Sequence, residues 1–159
     1  MSIELNQPSE KYQTLLAMHA THRQELSFHR QVMSTSLQWV STIYLAIAGG
    51  IIAIGLEDWQ KFGGKGSAFI TVVVAAIAYF SVQQHRHSAS AIDSNAGMIV
   101  KIDDLLGLFA SNFFKAGDSI YPSKWRQWGT GKGAGYYEYQ NIAIIIVESI
   151  ALTVFVWAI

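Results

Sequence analysis

The sequence predicts an all-α membrane protein with three transmembrane helices and a cytosolic helical stalk that extends from the first two. Two runs, 31–56 and 66–85, contain no Asp, Glu, Lys or Arg. At about 1.5 Å per residue, each run can cross the roughly 30 Å hydrocarbon layer of a bilayer as a helix. A third apolar run, 139–159, is also long enough to span. We therefore expect a single membrane domain in contact with lipid.

Composition favours a membrane protein over a soluble helical bundle. Charged residues make up 14% of the chain, against about 25% in a typical soluble domain. The formal net charge is zero, so no surface for nucleic acid is indicated. The chain has no cysteine, which excludes disulfides and thiolate chemistry. Because no nucleophile–base pair, carboxylate pair or phosphate loop appears either, we expect neither an enzyme nor a cofactor.

The first predicted helix runs from the cytosol into the membrane. Neither Gly nor Pro occurs between residues 9 and 48, and Ser9 can cap the first turn. We divide this helix into a cytosolic part, 9–33, and a first span, 34–56. The span carries pairs of small residues four apart, a pattern that lets helix backbones approach closely. These predicted packing residues are Ala46, Gly49, Gly50 and Ala53.

A tight extramembrane turn is predicted at 57–65, because two acids, two lysines and two consecutive glycines occur there. Trp59 in this turn is typical of a side chain at the membrane interface. The second span, 66–86, follows. Four small or polar side chains recur every four residues along it, and we expect them on one packing face. They are Ser67, Thr71, Ala75 and Tyr79.

A second cytosolic helix is predicted at 87–117. Its apolar residues continue one face, opposite Asp93, Lys101 and Asp104. That face comprises Ile92, Ile99, Ile102, Leu105, Leu106, Phe109 and Phe113. Because residues 12–33 carry a similar stripe, we expect the two segments to pack together outside the bilayer as a stalk.

Residues 118–136 are predicted to form a glycine-rich loop that returns the chain to the membrane. Trp125 and Trp128, beside basic residues, are typical of the headgroup layer. The glycine run at 129–135 lacks the spacing of a phosphate loop and follows no predicted strand. We interpret it as a flexible connection.

The third span, 139–159, contains one acid, Glu148, near its middle. A carboxylate at that depth costs several kcal/mol unless it is paired, hydrated or protonated. Asn141 lies seven residues earlier and therefore on the same helix face. Two interpretations stay open. Either Glu148 faces a water-filled path or an oligomer axis, or it is a protonated or hydrogen-bonded structural residue inside a helix bundle.

The distribution of basic residues predicts the orientation. Nine Lys and Arg residues fall in the N-terminal arm and the long connection, and two fall in the short turn. Such an excess marks the cytoplasmic side. We therefore expect the N-terminus in the cytoplasm and, after three spans, the C-terminus outside.

All five histidines then fall on the cytosolic side near the membrane: they are His19, His22, His29, His85 and His87. No HxxxH pair or carboxylate pattern typical of a metal site accompanies them, so no metal is predicted. A proton-sensitive cluster is one interpretation. Ordinary polar packing within the stalk is the other.

The layout of residues 10–115 resembles the SLATT type of small bacterial membrane effector. A helix led by Tyr12 and bearing His22-Arg23 and His29-Arg30 runs into an uncharged hairpin and out into a cytosolic helix. The resemblance implies a protein that oligomerises in the bacterial inner membrane. It further implies that an associated sensor triggers the protein to perforate or depolarise that membrane, as in anti-phage systems. The third span departs from the basic two-span layout.

Three functional classes fit the sequence. The first is a homo-oligomeric channel or pore-forming effector, favoured by Glu148 and by the faces of small residues. The second is a non-conducting membrane anchor or regulatory subunit whose stalk binds a cytosolic sensor or another partner protein. The third is a phage holin, against which the long cytosolic connection counts.

Overall fold

The computed structural model of the chain describes residues 7–110, 119, 121–127 and 134–159, except for the side chains of 7–9, 56 and 134–137. Three long helices account for most of these residues: α1 (Gln7–Ile54), α2 (Leu56–Leu105) and α3 (Ala134–Ala158). A short 3-10 helix, Ser123–Gln127, lies between α2 and α3, and the described residues contain no strand. Each long helix is long and apolar enough to cross a membrane. The predicted all-helical fold with three candidate spans is therefore confirmed.

The connection between α1 and α2 differs from the predicted turn at 57–65. α2 already begins at Leu56 and is interrupted at Gly63, where φ is 57° and ψ is −159°. Gly55 before it has a φ of 93°. Both conformations favour glycine, so these two residues absorb the change of direction. The residues between them stay helical, and the connection is a short helical segment rather than an irregular turn.

The tryptophan in this connection is buried within the protein. Trp59 is 8% exposed and belongs to the apolar core formed with all three helices. Its ring packs on Phe62, with ring centroids 5.9 Å apart. Gly66 lies close to both, since a methyl group there would come within 2.9 Å of the Phe62 Cβ and 3.5 Å of the indole. Trp59 thus packs within the protein, while its position at the membrane interface stays a prediction.

The chain divides into two compact units. We call the first, Met1–Arg30 with Ala89–Tyr136, the two-helix unit. We call the second, Gln31–Ser88 with Tyr137–Ile159, the three-helix unit. α1 and α2 contribute residues to both, and each unit has a cluster of buried apolar side chains of its own.

The three-helix unit packs α1, α2 and α3 around one apolar core. Val74, Ile145 and Val156 are at most 1% exposed, so aliphatic side chains fill the space between the helices. The buried members of this core are Val40, Tyr44, Ile51, Trp59, Val74, Ile145, Leu152 and Val156. Close-packed apolar side chains therefore occupy the centre of the described part of this unit.

The face that α2 turns toward this core follows a spacing of seven residues rather than the predicted four. Ser67, Val74 and Ser81 are buried. Ala75 and Tyr79 of the predicted stripe are exposed, the latter by 60%. At about 100° per residue, a step of four advances by about 40° around the helix, whereas a step of seven falls short of two turns by about 20°. The predicted stripe therefore leaves the packed face after its first two members.

The two-helix unit brings the first part of α1 against the last part of α2, as the apolar stripes of both segments predict. Leu26 of α1 packs with Ala96 and Ile99 of α2 in a buried cluster. Other buried apolar residues continue this face: Ile92 and Ile102 lie on α2, and Leu106 and Phe109 follow its end. The contact between the segments is thus observed, while its location in the cytosol stays a prediction.

The prediction is wrong for one member of the apolar face, Leu105. Leu105 is 73% exposed, whereas its neighbour Leu106 is buried. Buried positions on α2 follow steps of three and four from Ile99, and Leu105 falls about 100° away from Leu106 around the helix. Phe113, the last residue assigned to this face, lies outside the described residues.

α2 also ends earlier than the cytosolic helix predicted at 87–117. Its last residue is Leu105. Gly107 has a φ of 75°, the left-handed conformation of a glycine helix cap. The N–H groups of Gly107 and Leu108 donate to carbonyls of the last helical turn at 3.0 Å each. This pair of bonds closes the helix, and residues 111–118 are outside the described part of the chain.

Candidate functional site

Glu148 of α3 lies beside Ser41 of α1. The Ser41 Oγ is 2.8 Å from the Glu148 Oε1 and 3.0 Å from its Oε2. Both residues are half-buried. Since a hydroxyl carries one proton, Ser41 donates to one carboxylate oxygen or divides its proton between the two. The acid singled out in the third span therefore has a hydrogen-bond donor within its own chain.

One turn farther along α1, the Tyr44 hydroxyl joins all three helices. It lies 2.9 Å from the Ser149 Oγ of α3 and donates to the Val74 carbonyl of α2 at 3.2 Å. Ser149 donates to the Ile145 carbonyl at 2.6 Å. Tyr44 is 5% exposed, so its hydroxyl is satisfied inside the protein. We refer to Ser41, Tyr44, Glu148 and Ser149 as the polar cluster.

No basic side chain lies at the level of the polar cluster among the described residues of the three-helix unit. Lys, Arg and His are absent from 31–60, 66–84 and 133–159. Val74 marks the level of the cluster on α2. At a rise of 1.5 Å per residue, Lys65 and Arg86 lie about 14 Å and about 18 Å from Val74 along that helix. Glu148 therefore has no cation beside it.

Asn141 and the small residues of α1 occupy other parts of this unit. Asn141 is half-buried and lies two turns before Glu148 on α3. The predicted packing residues of α1 are all exposed: they are Ala46, Gly49, Gly50 and Ala53. A methyl group added at Gly49 or Gly50 would meet no atom within 4 Å. The close contact predicted for this face is therefore not made within one chain, and a contact with a second chain stays a prediction.

The other two residues predicted for helix packing, Ser67 and Thr71, both contact α3. The Ser67 hydroxyl donates to the Val156 carbonyl at 3.1 Å. The Trp157 indole N–H donates to the Thr71 Oγ1 at 3.0 Å. Since the last carbonyls of a helix lack partners within it, the bond from Ser67 satisfies a group that the helix itself leaves open.

In the two-helix unit, two of the five histidines connect α1 to α2. The His19 Nε2 lies 3.1 Å from the Asp103 Oδ1, which is an ion-pair distance. Both atoms are buried. His22 uses its Nδ1 to donate to the Asn95 Oδ1 at 2.8 Å. Both contacts link the same two helices.

Asp103 is the buried acid of this connection, with 4% of its surface exposed. Burial raises the pKa of Asp103 above its ordinary value, and this effect exceeds the opposing influence of His19 and Arg23. Its neighbour Asp104 is exposed and pairs instead with Arg126 at 2.9 Å. Protonation of Asp103 is thus linked to its packing in this unit.

The remaining three histidines lie at other positions of α1 and α2. His29 is half-buried in the same unit, with its ring centroid 5.5 Å from that of Phe28. His85 belongs to the three-helix unit, where it is fully buried and donates from Nδ1 to the Ser81 carbonyl at 2.9 Å. His87 is exposed. Within the described part of the chain, no group of three or more His, Cys, Asp or Glu side chains is arranged to hold a metal ion.

Trp125 lies in a small aromatic cluster beyond the end of α2. Its ring centroid is 5.1 Å from that of Tyr121, which in turn lies 5.7 Å from that of Phe109. The Arg126 guanidinium sits over the Phe109 ring at 5.2 Å. Trp125 is 40% exposed, and its role at a membrane interface remains an expectation. Trp128 falls outside the described residues.

Comparison of the chain with protein-family models, with curated proteins and with solved structures found no match. The resemblance to SLATT-type effectors therefore rests only on the order of helices along the sequence.

Sequence reasoning singled out Glu148 but missed its partners. Tyr44 lies four residues from both the buried Val40 and the half-buried Ala48, and Ser41 lies three residues before Tyr44, so the periodicity of α1 could have placed them on the inward face. Asp103 follows Ile99 by four residues and could have been found in the same way. Which side chain each of them meets depends on the register between helices, and no spacing within one helix contains that information.

Proposed function

We propose that the chain assembles into a homo-oligomeric channel or pore-forming effector of the bacterial inner membrane. The observation that carries this proposal is Glu148, a half-buried acid in an apolar span with one neighbouring hydroxyl and no cation at its level. An acid at this depth is too costly to face lipid and instead indicates a hydrated path.

The packing of one chain supports a path between chains rather than within one. Val74, Ile145 and Val156 fill the interior of the three-helix unit. Glu148 lies at the edge of this core, between α1 and α3, where it keeps part of its surface. A second chain that packs nearby would enclose that surface and provide space for water or ions.

The exposed small residues of the first span provide a surface for such assembly. Ala46, Gly49, Gly50 and Ala53 are exposed, and among the described residues a methyl group built at either glycine would meet no atom within 4 Å. Between helices in a bilayer, association depends on close van der Waals packing, which small residues permit. In the pore-forming role, a cytosolic sensor or other partner protein would act as the trigger.

A non-conducting anchor or regulatory subunit is the second candidate, because one observation favours it. The hydrogen bond from Ser41 gives Glu148 a structural use inside a single chain. The two-helix unit also exposes apolar side chains that a partner protein could cover, including Tyr12, Leu16 and Phe28. In this role, Glu148 would stabilise the bundle and no ions would pass.

Ion flux in liposomes separates the two candidates. We expect the wild type to conduct cations, and Glu148→Gln to conduct them more slowly and less selectively at equal oligomer content, because a ring of acids attracts cations. Glu138→Gln, at the start of α3, removes the same charge away from the polar cluster and serves as the matched control. Equal flux and selectivity in all three proteins would remove Glu148 from the path. Absence of flux from every protein would favour the anchor.

A further inference from the structure

The protons available to Glu148 can be counted from the contacts of its neighbours. Ser149 has one hydroxyl proton, and the 2.6 Å bond commits it to the Ile145 carbonyl. Tyr44 also has one hydroxyl proton. Two acceptors compete for it, the Ser149 Oγ and the Val74 carbonyl. Neither hydroxyl therefore has a proton left for the carboxyl group.

Ser41 alone supplies a donor to Glu148 among the described residues. Its Oγ is 2.8 and 3.0 Å from the two carboxylate oxygens. An ionised carboxylate offers about four acceptor sites, and one proton fills only one of them. With no cation at this level, an ionised Glu148 would keep most of its charge unmatched in apolar surroundings.

We propose that Ser41 and Glu148 form a proton-binding site, and that the packed three-helix unit is its proton-loaded form. On loading, an O–H bond forms at one Glu148 oxygen, a hydronium ion becomes water, and the negative charge is lost. The acid O–H then donates to Ser41, or Ser41 donates to the remaining carbonyl oxygen. Either arrangement fits the two observed distances and leaves no charge inside the apolar unit.

Loss of this proton requires water or a counter-ion at the contact between α1 and α3. The ionisable side chains that face the site are few. α1 contributes Tyr44, whose hydroxyl is already bonded. α3 contributes Glu148 itself. Between residues 66 and 84 of α2, the ionisable side chain is Tyr79, which is 60% exposed. Hydration of the ionised acid therefore loosens the contact between α1 and α3, while protonation restores it.

This inference deepens the proposed function by naming the proton as the ligand of Glu148. It rests on that proposal only for the position of Glu148 inside the bilayer. The packed unit is then the closed form of a channel, and the ionised, hydrated form is the open one. The proton site and the conduction of ions can fail separately.

Infrared spectroscopy of the full chain in phosphatidylcholine vesicles tests the proton site. At pH 7 we expect the carbonyl stretch of a protonated carboxylic acid in the wild type, its loss in Glu148→Gln and its shift in Ser41→Ala. Thr42→Ala is the matched control, since its exposed hydroxyl bonds to the Gln38 carbonyl, and should leave the band in place. If Glu148→Gln fails to fold, Glu148→Asp should shift the band and so assign it.

A wild-type spectrum without an acid band at pH 7, or an acid band that persists unshifted in both Glu148 variants, overturns the proton site. Flux measured on the same vesicles distinguishes this failure from failure of the channel. An acid band that Glu148→Gln abolishes, without flux at any pH, supports the proton site and refutes conduction. Flux without an acid band supports conduction and refutes the proton site.

Discussion

Glu148 and Asp103 are both partly or fully withdrawn from water, and their neighbours differ. Glu148 has the Ser41 hydroxyl and no cation at its level. Asp103 has His19 at 3.1 Å, with Arg23 close enough to favour its charged form. Because Asp103 is paired, its charge can persist in the folded state, although burial still raises its pKa.

The pH dependence of the two-helix unit follows from this pKa. A folded-state pKa raised above the ordinary value of 3.8 means that the folded unit binds the proton more tightly than the unfolded chain. The stabilising contribution of that proton is fully present below pH 3.8 and is lost as the pH rises through the raised pKa. We therefore expect Asp103→Asn, which stays neutral, to slow hydrogen exchange in the buried part of α2 at neutral pH, relative to the wild type.

The difference in hydrogen-exchange rate between the wild type and Asp103→Asn should become smaller as the pH falls toward 4. Asp93→Asn, on the same helix, removes an equal charge outside the contact with His19 and is the control. Mass spectrometry of peptides around residues 95–105 gives the comparison at each pH. Faster exchange in Asp103→Asn at every pH would mean that the charged pair with His19 stabilises the unit more than burial of the acid destabilises it.

At the scale of elements, periodicity predicted the helices well and their faces only in part. The face of α2 holds over seven-residue steps from Ser67 to Val74, whereas the four-residue stripe turned away by Tyr79. To predict that Leu106 rather than Leu105 is buried, the direction of the helix face must be known to within one residue. Such phase errors grow with length, because an interpretation that fits one turn drifts over the next.

Packing between the two segments of the two-helix unit depends on Leu26 and Ile99. Both are buried in one cluster, 8% and 3% exposed. We expect Leu26→Ala or Ile99→Ala to cost about 2–5 kcal/mol of unfolding free energy, because each leaves a cavity. Leu105→Ala removes an exposed side chain and should stay within about 0.5 kcal/mol of the wild type. Thermal unfolding in detergent measures the stability of all three variants. Equal losses of unfolding free energy at the three positions would contradict the contact between Leu26 and Ile99.

The candidate site was only half predictable for a related reason. Glu148 stands out because a charge inside an apolar run is conspicuous in one dimension. Ser41 is not conspicuous, since serine is common in membrane helices and only the register of α1 against α3 identifies it as the partner. The helical connection at 57–65 was missed because its composition is that of a turn, while the reversal itself is confined to Gly55 and Gly63.

At the scale of the whole molecule, the orientation in the membrane is the first quantity to test. The excess of basic residues predicts the N-terminus and the long connection inside, and the C-terminus outside. A reporter that is active only in the cytoplasm, fused after Ile159, should therefore be silent, while the same reporter before Met1 should be active. An active reporter after Ile159 would mean that the third span does not cross or that the orientation is reversed.

Assembly is the central requirement of the proposed function, because the core of one chain is filled by Val74, Ile145 and Val156. Gly50→Leu adds a large side chain where a single chain has open space, so it should leave the monomer folded and weaken contact between chains. Ala75→Leu makes a comparable change at an exposed position on α2 and is the matched control.

The most direct measurement is the mass of the particle released from lipid nanodiscs in native mass spectrometry. We expect a complex of several chains for the wild type and for Ala75→Leu, and smaller complexes for Gly50→Leu. A wild type that is a single chain in lipid would contradict the channel, since no aqueous path could then reach Glu148 across the bilayer.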